Sequence, residues 1–165
     1  CYMDPNDLIK YEAPPNFEAI CAVFPAARTH EGAIFSYEPF IYCPKLEIGK
    51  GLAPHLHIHE QVHHRQQKEF KPTLYGIEVV DASPLARVEA WWSMYLANPQ
   101  FRLEQEVEAY RAQYNFVLTN HGGHSRGNEA VKEFLFRIAC DLSGPLYGSI
   151  ISYGAAESII RRKGG

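Results

Sequence analysis

The first third of the chain alternates short apolar runs with proline-containing turns, and this pattern predicts strands. Residues 19–24 form a compact apolar run that ends before a proline, which predicts a buried strand. Residues 33–37 and 40–43 are two short runs of aromatic and β-branched residues, and together they predict a hairpin. Residues 1–18 are rich in proline, asparagine and aspartate, and they predict an irregular N-terminal arm.

After residue 50 the apolar positions recur with the spacing of helices. The predicted helices cover residues 53–70, 83–98, 99–116 and 129–142, with a short closing helix within 146–162. Pro54 suits a first helical turn, and Ser83 and Asn128 are suitable N-terminal caps. Residues 73–83 predict a linker with a short apolar run, and residues 121–128 predict a polar, glycine-rich loop.

This order of elements predicts an α+β fold in which a small antiparallel sheet is followed by four to five helices. A chain of 165 residues is long enough for one hydrophobic core. The pattern shows neither an internal repeat nor a second domain boundary. We therefore expect a single domain over residues 1–165, with residues 1–18 as the arm that covers it.

The composition, 46% hydrophobic and 21% charged, is ordinary for a soluble globular protein. A net charge of −3 gives no reason to expect nucleic acid as a partner. No apolar run reaches the roughly 18 residues of a membrane-spanning helix. The N-terminal residues also lack the layout of a signal peptide, so we expect a cytoplasmic protein without a membrane partner.

The four cysteines are scattered at positions 1, 21, 43 and 140, without a Cys-x-x-Cys pair. This spacing argues against a zinc ribbon and favours buried, reduced thiols. Cys21 and Cys43 lie in predicted neighbouring strands, so a disulfide between them is the alternative.

The motif His59-Glu60-x-x-His63 lies in the first predicted long helix. Residues four apart share one face of a helix, so the two imidazoles can bind one metal ion. Glu60 can then take a proton from a water in the open position of the ion. Because a catalytic zinc usually has three protein ligands, a third ligand must come from another part of the chain.

Glu106 is the best candidate for the third ligand, because it lies on the apolar stripe of the helix 99–116. A buried carboxylate is costly unless it is paired or bound to a metal. Glu104 and Glu108 project away from this stripe and predict solvated charges. Arg102 lies one turn before Glu106 and predicts structural support of a neighbouring group.

Together, the first motif and the later segment Glu106-x-Glu108-Ala109-Tyr110 resemble the zincin-like metallopeptidases of the gluzincin type. The resemblance covers residues 34–116. It implies that His59, His63 and Glu106 bind Zn²⁺ and that Glu60 is the general base. It also implies that the strand predicted at residues 40–43, or its neighbour, borders the substrate cleft. Tyr110 stands where the family usually has an aspartate that hydrogen-bonds a histidine ligand, so that partner must come from elsewhere.

The chain also resembles small bacteriophage proteins that combine this motif with a later Tyr-Leu-x-x-Pro-x-Phe-Arg segment, here residues 95–102. This second resemblance implies an assembly partner in a phage particle and a virion-associated location as the alternative to the cytoplasm.

The expected function is peptide-bond hydrolysis of a peptide or protein substrate by a zinc-dependent metallopeptidase. The tetrahedral oxyanion needs a hydrogen-bond donor besides the metal. The sequence offers several candidates for it: Tyr110, Tyr114, His121, His124 and Arg126. Tyr110 and His124 could also contact the metal ligands rather than the transition state.

Four alternatives remain at this stage. His121 or His124 could replace Glu106 as the third ligand. His55, His57 and His59 would face one side of a strand, as in cupin-like metal sites, if this segment were extended. The protein could also be a catalytically silent zincin-fold binding or virion structural protein, or a metalloenzyme that does not cleave peptides.

Overall fold

The computed structural model describes residues 4–120 and 128–162 and shows an α+β fold. The strands are β1 (Ile9–Lys10), β2 (Phe35–Tyr37), β3 (Phe40–Tyr42), β4 (Thr73–Leu74) and β5 (Ile77–Glu78). The α-helices of these ranges are α1 (Phe17–Val23), α2 (Ala26–Thr29), α3 (Pro54–Glu69), α4 (Pro84–Ala97), α5 (Pro99–Asn120), α6 (Glu129–Leu142) and α7 (Tyr153–Arg161). Two 3₁₀ helices cover Pro5–Leu8 and Pro145–Tyr147.

The main sheet has three strands in the order β1-β3-β2. The predicted hairpin is confirmed, because β2 and β3 pair antiparallel with Phe35 opposite Tyr42. β1 pairs parallel with β3, however, so the sheet is mixed rather than antiparallel, and the arm is not wholly irregular. Two residues give no periodic signal, and their partner lies about thirty residues later in the chain.

The prediction of a strand at residues 19–24 is wrong, because this segment belongs to helix α1. Ile20 and Phe24 lie four residues apart and are both buried, whereas Val23 is exposed. A six-residue apolar run fits a buried strand and one side of a short helix equally well, and tertiary packing decides between them.

The predicted long helices are confirmed as α3 to α6, and the closing helix is α7. The side chain of Ser83 accepts a hydrogen bond from the Ala86 amide at the start of α4, and Asn128 caps α6 in the same way through the Ala130 amide. The predicted linker contains the small hairpin β4–β5, whose apolar residues Leu74 and Ile77 are exposed. No helix in the described ranges has the length and apolarity needed to span a membrane.

Cys21 and Cys43 are buried free thiols, as predicted, and no disulfide joins them. Burial raises the pKa of Cys43 to about 12, with a smaller contribution from the charge of Glu60. Cys140 is also free but exposed on α6, so its predicted burial is wrong.

The described residues form two large apolar clusters and a small third one of Ile9, Ile41 and Cys43. The two large clusters differ in the elements that they join. One joins the apolar faces of α5, α6 and α7, and the other joins α1, α2, β2, β3 and α4. Helix α3 packs against α4, α5 and β2. All of its buried residues are polar: His57, His59, Glu60, His63, His64, Gln66 and Gln67. A buried polar face is costly unless each side chain has a partner, and these partners define the site.

Candidate metal centre

Helices α3 and α5 bring His59, His63 and Glu106 together. The Nε2 atoms of the two histidines lie 3.2 Å apart. Glu106 Oε1 lies 3.2 Å from His59 Nε2, and Glu106 Oε2 lies 3.2 Å from His63 Nε2. The three side chains can therefore each offer one ligand atom, and these atoms lie within 4.8 Å of one another. In the parts of the chain that the structure describes, this is the one group of His, Cys, Asp and Glu placed to hold a metal ion.

The spacing fits a zinc ion. Nitrogen and oxygen ligands lie about 2.0–2.1 Å from zinc, so two such ligands at the tetrahedral angle are about 3.3–3.4 Å apart. The observed separations of 3.2 Å are close to this value. Glu106 Oε1 is also buried without a hydrogen-bond partner. A buried carboxylate oxygen that has no hydrogen-bond partner is suited to bind a metal ion.

Without a metal, Glu106 forms a buried ion pair with His63 and also contacts His59. Burial alone would lower the pKa of His63, but the charge of Glu106 and its contact with the imidazole outweigh burial and raise this pKa to about 9. Burial alone would also raise the pKa of Glu106, but His63 and His59 outweigh it and hold this pKa well below its usual range. Glu106 is therefore a carboxylate at neutral pH, which is the form that binds metals.

Tyr95 from α4 holds the Glu106 carboxylate in place. Its hydroxyl group donates a hydrogen bond of 2.7 Å to Glu106 Oε2, and its ring stacks on Trp91 with 4.9 Å between the centroids. Burial and the neighbouring charge of Glu106 raise the pKa of Tyr95 well above its usual value, so the hydroxyl remains a donor.

Two buried glutamines contact the other nitrogens of the histidine rings. His59 Nδ1 lies 2.9 Å from Gln113 Oε1, and His63 Nδ1 lies 2.8 Å from Gln66 Oε1. The predicted partner that had to come from elsewhere is therefore an amide on each histidine rather than an aspartate. Both rings direct Nε2 towards Glu106.

Glu60 faces β2 on the same cavity as the three potential ligands. The hydroxyl of Ser36 donates a hydrogen bond to Glu60 Oε2. The carbonyl oxygen of Ser36 accepts hydrogen bonds from Gln67 and Trp92, at 2.9 and 3.0 Å. These bonds hold β2 next to the carboxylate of Glu60. β2 is thus the strand that lies beside Glu60 of the motif helix. Of the two strands that the sequence offered for this place, it is the neighbour of the strand at residues 40–43.

Two cavities meet at the site. An inner cavity of about 50 Å³ contains the three potential ligands and Glu60, and it is lined mainly by aromatic and aliphatic side chains. An outer cavity of about 180 Å³ extends from His59 and Glu60 towards Asp141. Ile34, Leu146 and Tyr147 line both cavities, as do His59 and Glu60, so the two cavities adjoin at the site.

Among the predicted transition-state donors, Tyr110 lies beside the site. Its ring packs edge-on against His59 with 4.5 Å between the centroids, and its hydroxyl forms a 2.8 Å hydrogen bond with the hydroxyl of Tyr147. Tyr114 is buried in the apolar cluster of α5, α6 and α7 and lines neither cavity. His121, His124 and Arg126 lie outside the described residues.

The hypothesis of a strand-borne histidine site is wrong, because residues 55–59 lie in helix α3. His55 Nδ1 accepts a hydrogen bond from Gln113, and His57 Nε2 lies 2.9 Å from Asn6 Oδ1. His64 Nε2 lies 2.9 Å from the carbonyl oxygen of Phe40 and so donates to it. These three histidines have structural hydrogen bonds and do not join the metal cluster.

The charged neighbours of Glu106 on α5 differ in their roles. Arg102 is buried and donates to the carbonyl oxygens of Tyr95 and Tyr147, so its predicted structural role is confirmed. Glu104 is exposed, as predicted. Glu108 is exposed as well, but it pairs with Arg65 and accepts a 2.8 Å hydrogen bond from Gln66. The prediction of a merely solvated Glu108 is therefore incomplete.

The sequence interpretation missed several residues that contact the site: Ser36, Gln66, Tyr95, Gln113 and Tyr147. Gln113 follows Glu106 by seven residues, and Gln66 follows His63 by three. Helical spacing places both amides on the faces of the ligands, so this signal could have found them. Ser36, Tyr95 and Tyr147 are distant in the chain, and only the fold brings them to the site.

Comparison with known proteins gave no match: no family model, no curated protein and no solved structure is significantly similar to this chain.

Proposed function

We propose that this protein is a zinc-dependent metallopeptidase of the zincin type. His59, His63 and Glu106 would hold Zn²⁺, and Glu60 would be the general base. The proposal is supported above all by the cluster of His59, His63 and Glu106, in which the two Nε2 atoms lie 3.2 Å apart and each lies 3.2 Å from one Glu106 oxygen. A second carboxylate, that of Glu60, lines the same cavity. Three protein ligands leave one position for water or substrate, as in catalytic zinc sites.

When bound, zinc supplies a Lewis acid and lowers the pKa of its water towards neutrality. The carboxylate of Glu60 would accept the proton of the attacking water and pass it to the leaving amine. Ser36, which donates to one oxygen of Glu60, would orient the carboxylate.

The developing oxyanion needs a donor, and Tyr147 is the best placed one. It lines both cavities, whereas Tyr110 lines the outer cavity. If Tyr110 donates in the hydrogen bond between the two hydroxyls, the Tyr147 proton is free for the substrate. The pKa of Tyr147 is raised well above its usual value by burial and by nearby Tyr110, so it stays protonated.

The zincin assignment within this proposal is supported by the order of the elements. A strand edge lies beside the general base, the motif helix follows, and the helix with the third ligand comes later. The departure from the family pattern is equally specific, because amides contact the histidines where a carboxylate is usual. Peptide or protein substrates, and a cytoplasmic or virion-associated location, belong to the same proposal.

Glu60→Gln tests the catalytic part. The variant should retain zinc in stoichiometric amount, because Glu60 is not a ligand, but lose cleavage of a labelled denatured protein by at least about 100-fold. The measurements are metal analysis and a fluorescence assay of cleavage. Glu89→Gln, on α4 and outside the site, is the control. Full cleavage by Glu60→Gln would contradict the assignment of the general base.

A catalytically silent metal-binding protein, such as a phage structural component, is the second candidate. The observation in its favour is the closed site: His59, Glu60, His63 and Glu106 are each at most 6% exposed, and the inner cavity is small for a peptide. In this case the wild-type protein would bind zinc tightly and cleave no peptide in a library of mixed sequences. Zinc-dependent cleavage of any library peptide would exclude it.

A further inference from the structure

We propose that Gln66 and Gln113 are positioning residues, which orient the imidazoles of His63 and His59 for metal binding through uncharged amides. The inference rests on the proposed zinc site. It goes beyond that site because it assigns a role to two residues that belong to neither metallopeptidase motif. It also predicts how the chain replaces the carboxylates that usually contact zinc-bound histidines.

The geometry at His59 determines which nitrogen carries the proton. Gln113 Oε1 can only accept, and it lies 2.9 Å from His59 Nδ1, so Nδ1 is the donor. The lone pair of His59 Nε2 is then directed at the ligand cluster. Gln113 is buried, and its amide nitrogen donates to His55 Nδ1. This second bond fits the same orientation of the amide, with His55 Nδ1 as the acceptor.

The amide of Gln66 is oriented even more strongly. Its nitrogen donates to the carbonyl oxygen of Gln105 at 3.1 Å and to Glu108 Oε1 at 2.8 Å, and both of these atoms are acceptors. The amide oxygen must therefore face His63 Nδ1, which lies 2.8 Å away. The chain Glu108–Gln66–His63 connects an exposed carboxylate to a buried ligand.

Amides and carboxylates have different electrostatic effects here. Both fix the ring and its proton, but a carboxylate would add a negative charge next to Glu106, which is already buried and ionised. An amide fixes the ring without this charge and leaves the net positive charge of the zinc site intact. Replacement of Gln113 by glutamate should therefore preserve the orientation and strengthen zinc binding, whereas an apolar residue should weaken it.

Zinc affinity provides the test, measured on metal-free protein by competition with a chromophoric chelator. Gln66→Leu and Gln113→Leu should each bind zinc about 10–100-fold more weakly than wild type. Gln113→Glu should bind zinc at least as tightly as wild type. Gln67→Leu is the matched control: Gln67 is also buried on α3, but it bonds Ser36 and Glu38 rather than a histidine. Its zinc affinity should stay within about threefold of wild type.

NMR of the zinc-loaded wild-type protein tests the inference without a variant. Both histidines should show a proton on Nδ1 in slow exchange with water. Wild-type affinity in the folded leucine variants, equal losses in Gln67→Leu, absent Nδ1 protons, or no zinc binding by wild type would each overturn the proposal. Failure of peptide cleavage with the expected affinities would overturn the proposed activity alone.

Discussion

Helices α3 and α6 are both packed into the protein, yet they bury opposite kinds of residues. The buried residues of α6 are all apolar: Val131, Phe134, Leu135, Ile138, Ala139 and Leu142. Those of α3 are histidines, glutamines and one glutamate. Burial of apolar area stabilises α6 without specific partners. Each buried polar group of α3 costs about 1–3 kcal/mol unless a partner is present, so the packing of α3 depends on specific hydrogen-bond partners.

The partners of α3 come from every side. Glu106 and Gln113 of α5 contact its histidines, Ser36 of β2 contacts Glu60, and Gln67 bonds the backbone of β2. The comparison predicts two separable outcomes. Changes on α6 should alter stability alone, and changes around α3 should alter metal binding or catalysis.

Loss of Glu106 should have the largest effect. Glu106→Ala removes a ligand and also leaves the His63 imidazolium buried without its counter-charge. We expect zinc affinity to fall by more than about 100-fold. This is more than the decrease expected when a ligand only loses its hydrogen-bond partner. The metal-free protein should lose about 3–5 kcal/mol of unfolding free energy. Chelator competition and urea denaturation measure the two effects, and Glu104→Ala on the same helix should change neither.

Leu142→Ala is the corresponding change on α6. Leu142 is fully buried, so its truncation should cost about 2–5 kcal/mol of unfolding free energy, through lost burial and the cavity left behind. Zinc affinity of the folded variant should equal that of wild type. Phe136→Ala, at an exposed position of the same helix, should change stability by less than about 0.5 kcal/mol. A zinc affinity that falls with Leu142→Ala would show that the two regions are coupled.

Tyr147→Phe tests whether a residue outside α3 and α5 contributes to catalysis. Tyr147 lies in the 3₁₀ helix that connects α6 and α7. Loss of the hydroxyl should lower kcat by about 100-fold with unchanged zinc affinity, as expected for a donor to the oxyanion. Steady-state kinetics with a cleavable peptide are the measurement. Tyr153→Phe, on the exposed side of α7, should behave like wild type. Unchanged kcat in Tyr147→Phe would transfer the role to another donor.

The smallest expected effect is a pH dependence of stability that only the metal-free protein shows. The folded pKa of His63 is raised to about 9, so its pairing with Glu106 stabilises the fold fully below the unfolded value of about 6.5. This stability is lost as the pH rises from about 6.5 through 9. Glu106, whose pKa is lowered, also stabilises the fold, and this contribution is lost only in acid, when its carboxylate is protonated.

Urea denaturation between pH 6 and 10, with and without zinc, measures this difference. Because zinc replaces the proton on His63, binding at pH 7.5 should release about one proton, which calorimetry in two buffers detects. Equal pH profiles with and without zinc would contradict the pairing of His63 with Glu106.

The helices α3 to α7 could be predicted from sequence because each is long enough for its periodicity, or its capping residues, to be specific. Pro54, Ser83 and Asn128 marked the starts of α3, α4 and α6. The strand predicted at residues 19–24 and the missed parallel strand β1 show the opposite case. Short segments take their structure from their neighbours, and these neighbours are far away in the chain.

The sequence alone determined which residues could form the metal site. His59 and His63 are four residues apart on one helix, and Glu106 lies on a stripe where a carboxylate has no packing role. Local spacing is sufficient for such inferences, because a helix has a fixed repeat.

Only the tertiary structure decided how these residues are held. Ser36, Tyr95 and Tyr147 reach the site from three different elements, and no local pattern relates them to it. The two glutamines acquire their roles from the direction of an amide, which depends on acceptors such as Glu108 and His55. Hydrogen bonds are short and directional, so their partners follow from the packing of helices rather than from the order of residues.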